Sequence, residues 1–124
     1  MKGVWWGSLL VCLGAALPAA AVEIDAGGNY GNDAGCKYLA TNNYEGEDLV
    51  ALTPREVQTY VTLCSFVNAT TLENGTIVTT VICGHEGDEA QTLELMRFTK
   101  SLEGDRWGIY GADGTSWGEV SRCR

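Results

Sequence analysis

Cys36, Cys64, Cys83 and Cys123 constrain this 124-residue chain more than any other feature. An even set of cysteines in a short chain reads as a disulfide framework where the compartment is oxidising, because a small core gains much from cross-links. Three pairings satisfy the count. The favoured one is Cys64–Cys83 across neighbouring strands, with Cys36–Cys123 tying the N-terminal loop to the C-terminal end. No C-x-x-C pair occurs, so no metal site is expected from the cysteines.

The compartment is read from the first residues, MKGVWWGSLLVCLGAALPAAAVEID. Lys2 supplies a positive start, residues 4–17 an apolar run, and Ala19 and Ala21 an A-x-A peptidase site. Residues 1–21 are therefore expected to be a signal peptide, with residues 22–124 forming a single small domain. The apolar run falls short of the ~20 residues a spanning helix needs, so no membrane span is expected after cleavage. Cys12 belongs to the discarded segment. The expected location is the periplasm or the medium.

The formal charge is −8, and loss of residues 1–21 takes away one lysine and no acid. Such a surface repels the phosphates of nucleic acid and is compatible with a basic partner, besides keeping an exported protein soluble.

Residues 22–48 are rich in Gly, Asn and Asp and read as a mostly irregular segment pinned at Cys36. Asp25, Gly27 and Asn29 have the spacing of the start of a calcium loop. Its sixth-position glycine and twelfth-position glutamate are missing, so turn chemistry is the better reading. From residue 57 the texture changes to β-branched residues at a period of two. This predicts strands over about 57–67, 76–83, 90–98, 106–111 and 117–123. Asn74-Gly75 and Asp113-Gly114 mark hairpin turns. The Asn68 and Asn74 sequons are read as loop residues. The fold class is a mainly β antiparallel meander of about five strands, as a barrel or an open sheet, held by two disulfides.

The most chemical-looking segment is Ile82-Cys-Gly-His-Glu-Gly-Asp-Glu-Ala90, which holds the only histidine. A catalytic His85 would need a nucleophile and an orienting acid, and a zinc site more nitrogen or sulfur partners than the chain supplies there. Asp88 and Glu89 alone would hold calcium weakly. The segment reads as a solvated hairpin loop. No G-x-S-x-G elbow or phosphate-binding glycine loop occurs, so no catalytic residue and no cofactor are assigned. Trp107, Tyr110 and Trp117 gather around the last hairpin, with Tyr60 and Phe66 earlier; they either fill a core or form a recognition rim. Trp107, Tyr110, Asp113, Ser116 and Trp117 are the candidate binding surface.

The last third, EGDRWGIYGADGTSWGEVSRC, resembles the ending of short exported four-cysteine proteins of alphaproteobacteria. TPREVQTYVTLCSF and VICGHEG resemble the same group, so the likeness covers most of residues 36–124. It implies export and a fold, and no activity. A remoter resemblance is to the periplasmic inhibitors of C-type lysozyme, small disulfide-bonded antiparallel barrels that insert a loop with a Ser-Gly pair and a nearby Tyr into the enzyme. Here GADGTSWG offers Ser116 and Trp117 without that pattern, and no inhibitory residue is carried over. The expectation is a monomeric, non-catalytic binding protein of the bacterial envelope, its partner a protein or envelope component. The alternative is an inhibitor of lysozyme or another basic hydrolase.

Overall fold

The computed structural model describes Gly3 and residues 22–124. The expected signal peptide, Cys12 included, lies outside the described residues apart from Gly3. In chain order the elements are β1 Tyr30–Gly31, α1 Asp33–Thr41, β2 Val50–Leu52, β3 Glu56–Thr59, β4 Thr62–Thr71, β5 Ile77–His85, β6 Thr92–Lys100, β7 Arg106–Gly111 and β8 Ser116–Arg122. Each strand pairs antiparallel with the next, and β1 pairs with β8, closing the sheet into a barrel. The described residues are mainly β and antiparallel, as expected, but form eight strands in place of about five. No described helix is long and apolar enough to cross a membrane.

The longer strands fill the barrel interior with alternate residues. Ile77, Thr79, Val81 and Cys83 of β5 face Cys64 and Phe66 of β4, while Met96 and Phe98 of β6 face Trp107 and Ile109 of β7; all are buried. Phe66 and Phe98 meet edge to face at 5.7 Å. A bulge between Phe66 and Asn68 shifts the phase of β4, so that Ala69 takes the inward position opposite Thr79.

Local hydrogen bonding adjusts four of the sequence expectations. The single strand over 57–67 is broken at Tyr60-Val61, where Thr62 N–H donates to Thr59 Oγ1 (3.1 Å) and turns the chain from β3 into β4. Residues 22–48 are irregular over most of their length, as expected, but also contain β1 and α1. Asn32 caps α1 by accepting from Gly35 N (2.8 Å), and Asn42 ends it in the left-handed region while its N–H donates to Tyr38 O (2.7 Å). The loop read over 84–89 begins later, because His85 is the last residue of β5. At the 72–75 hairpin only Gly75 has positive φ, and its N–H donates to Leu72 O (2.9 Å). This is a type I turn followed by a glycine bulge, a longer connection than the two-residue turn that Asn-Gly most often makes.

The cysteines pair as Cys36–Cys123, 87 residues apart, and Cys64–Cys83, 19 apart. Cys36–Cys123 stands beside the closing seam, where Arg122 donates to Gly27 O (2.7 Å) and to Tyr30 Oη (3.0 Å), and its guanidinium lies 5.2 Å from the centre of the Tyr30 ring. Helix α1 rests directly on β2. A Cβ at Gly35 would overlap the Val50 carbonyl, so only glycine permits this approach. Gly35→Ala is expected to cost about 1–3 kcal/mol in chemical denaturation, whereas Gly84→Ala, whose Cβ meets open space, is expected to cost far less. Equal losses would contradict the contact.

Candidate functional site

Antiparallel order divides the connections between two ends of the barrel. The segment with α1 and residues 42–49, the turn at 60–61, the 86–91 loop and the 112–115 turn share one end. The chain start, the turns at 53–55, 72–76 and 101–105, and the C-terminus share the other. Among the described residues, six of the ten exposed large apolar side chains stand at or near the α1 end: Tyr44, Tyr60, Val61, Leu63, Leu93 and Leu95.

A cleft of about 460 Å³ opens there, lined by Tyr44, Gln58, Tyr60, Val61, Leu63 and Glu86 among others. Tyr38, projected from α1, stacks on Tyr44 with ring centroids 4.6 Å apart, and Tyr60 meets Tyr44 edge to face at 6.1 Å. Gln58 Nε2 donates to Tyr44 Oη (2.9 Å), which donates on to Tyr38 Oη (3.4 Å). That donation holds the Tyr44 phenol above its ordinary value, with smaller additions from burial and from the Tyr38 and Glu86 charges, opposed by the Gln58 bond. Glu86 is thus close enough for its charge to be felt at Tyr44.

His85 lies beside this cleft at the mouth of the barrel. Its Nδ1 is 2.9 Å from Thr62 Oγ1 and its Nε2 is 3.0 Å from Thr92 Oγ1, while Thr92 Oγ1 donates to Glu94 Oε2 (2.8 Å). Since the one Thr92 proton goes to Glu94, Nε2 is the donor to Thr92 Oγ1, and in the neutral imidazole Nδ1 then accepts from Thr62. The strand register therefore supplies what the sequence lacked, a hydroxyl and a carboxylate around His85, with Glu94 Oε2 3.6 Å from Nε2. His85 is half-buried in a hydrogen-bonded chain and is not a solvated loop residue. Every donor of the chain is spent inside it, and the hydroxyl offered is a secondary alcohol. The arrangement orders the mouth above Cys64–Cys83. Glu94 and the two sulfurs have ligand atoms within 4.8 Å of one another, but sulfurs joined in a disulfide are not thiolate ligands.

The five residues of the candidate binding surface do not share one environment. Trp107 is 2% exposed in the barrel core, edge to face with Tyr30 at 6.4 Å, and its Nε1 has no partner among the described residues. Tyr110 is half-buried, with the Arg97 guanidinium 5.0 Å from its ring centre. Asp113 and Ser116 are exposed at the last turn. Trp117 rests partly against the core and lines a second groove, of about 530 Å³, with Leu93, Leu95 and Asp113. Sequence reasoning missed Tyr38, Tyr44 and Leu93 as surface residues; the run Tyr38…Tyr44 flanking two asparagines was the available signal.

Asp113 accepts from the backbone N–H of Thr115 (2.9 Å) and from its hydroxyl (2.8 Å), and these bonds hold its carboxyl below the ordinary aspartate range. A lowered folded-state value means that this contribution is present above the ordinary aspartate range and is lost as pH falls through the lowered value. Thr115→Val, which keeps the N–H, is expected to move the Asp113 titration part of the way back up in a carboxyl-detected NMR experiment. An unchanged titration would contradict the role given to the hydroxyl.

Compared with protein-family models, curated proteins and solved structures, the chain matches none of them.

Proposed function

We propose that this chain is an exported, non-catalytic binding domain of the bacterial envelope that meets a protein partner with the α1 end of its barrel. One observation carries the reading. Apolar side chains that water disfavours are concentrated there in the open, from Tyr60 and Leu63 at 40–41% exposure to Leu93 at 71%. Exposed tyrosines beside a groove are the ordinary material of a recognition surface, and exposed leucines widen the apolar patch around them. Two disulfides and the signal-like first residues support export. The internally satisfied His85 chain gives no support to catalysis.

The second reading, inhibition of a basic hydrolase such as lysozyme, is favoured by the 112–115 turn. It is exposed, acidic and stiffened by the Asp113–Thr115 bonds, with Ser116 and Trp117 following. The oxidised 22–124 chain should be titrated at low salt against basic lysozymes of the main types, reading both complex formation and residual enzyme activity. Binding without loss of activity supports the first reading, and inhibition supports the second. No complex at micromolar protein contradicts a basic lysozyme as partner and removes the second reading for that enzyme.

A further inference from the structure

The tyrosine cleft places aromatic faces that carry no cation beside acids without cationic partners. Three aromatic faces elsewhere carry the chain's own cations, Arg97 over Tyr110, Lys100 over Trp107 and Arg122 over Tyr30, at 5.0–5.4 Å from the ring centres, while Trp117 in the second groove carries none among the described residues. Among the described residues no cation covers Tyr38, Tyr44 or Tyr60, although Tyr44 is 52% and Tyr60 41% exposed. The two segments flanking the cleft, 42–49 and 86–91, carry six acids and no Lys or Arg. Of these acids only Glu45 has a cationic partner among the described residues, Lys37 at 3.3 Å. Glu86 lines the cleft itself and has none.

From this geometry we infer that the cleft between Tyr44, Tyr60 and Glu86 receives an arginine side chain of a basic partner protein. The inference rests on the proposed binding role and adds the chemistry of the contact. A guanidinium is flat, stacks on a tyrosine face and offers several N–H donors at once. The cleft matches both properties. Tyr44 and Tyr60 meet edge to face, with planes at 87°, so a cation seats on an exposed outer face of one ring beside Glu86 and not between the two rings. Glu86 and Gln58, which both line the cleft, bring a carboxylate and an amide oxygen as acceptors. Gln58 is oriented by its amide bond to Tyr44 Oη, which leaves its oxygen without a donor among the described residues. A quaternary ammonium would use the rings but none of these acceptors. Val61 and Leu63 provide apolar wall for the methylene stem.

The test is an amide and side-chain NMR titration of the oxidised 22–124 chain with N-acetyl-arginine amide at low salt, with the uncharged N-acetyl-citrulline amide as control. Saturable shifts at Tyr44, Tyr60 and Glu86 are expected with arginine only, shrinking as salt is raised. Tyr44→Ala should weaken the response about tenfold, and Tyr44→Phe, which keeps the ring face, much less. Glu86→Gln should weaken it severalfold and flatten its salt dependence. Unperturbed spectra of the variants outside the cleft show that they remain folded. Equal shifts with citrulline, shifts elsewhere on the barrel, or a response indifferent to Tyr44→Ala would overturn the inference. If arginine amide fills the cleft while basic lysozymes form no complex, the arginine site stands and that partner falls. If lysozyme binds but neither it nor arginine amide perturbs the cleft, the binding role stands and the arginine site falls.

Discussion

Replacing Cys36 and Cys123 together by serine is expected to lower the unfolding free energy by about 4.6 kcal/mol, the chain-entropy value for a loop of this length. The bond closes 87 residues, nearly the whole described chain. Without it the unfolded ensemble gains most of the freedom that the loop removed. Both cysteines are only half-buried, so little core packing goes with them. A domain this size has about 5–15 kcal/mol to lose, and the melting temperature should fall by roughly 20–35 °C. The denaturant m-value should rise, because the unlinked chain exposes more surface when it unfolds. A loss below about 1 kcal/mol would mean that the seam bonds of Arg122 and the β1–β8 pairing hold the barrel closed unaided.

Phe98→Ala is the second large effect, at about 3–5 kcal/mol. Phe98 is fully buried between Ile77 and Ile109 in register and meets Phe66 edge to face at 5.7 Å. The barrel walls are hydrogen-bonded on both sides of β6, so they cannot collapse into the space left behind. Phe66→Ala should cost a similar amount. The double variant should cost less than the sum by about 0.5–1.5 kcal/mol, the interaction of two rings in contact. Strict additivity in urea denaturation would contradict direct packing of these rings.

Strands with clean alternation were legible in the sequence: β5, β7 and β8 lie within two residues of their expected positions, because each has one wet and one buried face. β2 was not, since Val50, Ala51 and Leu52 are all buried and a short run of that kind has no period. β1 is two residues long and exists through its pairing with β2 and β8, which no local pattern announces. Helix α1 was hidden by its own caps. Asn32 and Asn42 read as turn residues, and Gly35 reads as a breaker although it is there to let the helix touch β2. The candidate site was less legible than the fold. Tyr38, Tyr44 and Tyr60 come from α1, the segment after it and the β3–β4 turn and meet only in the folded chain, while Thr62, His85, Thr92 and Glu94 are brought together by the β4–β5–β6 register. Trp107 drew attention for its type and proximity to a turn, yet its strand phase points it inward.

The central claim is that binding belongs to the α1 end of the barrel. It is tested most directly by mapping backbone-amide shifts of the oxidised 22–124 chain as a basic lysozyme is added at low salt. Perturbations are expected only at residues 42–49, 59–63, 84–95 and 111–117. Perturbations centred instead on the opposite turns, 53–55, 72–76 and 101–105, would contradict it.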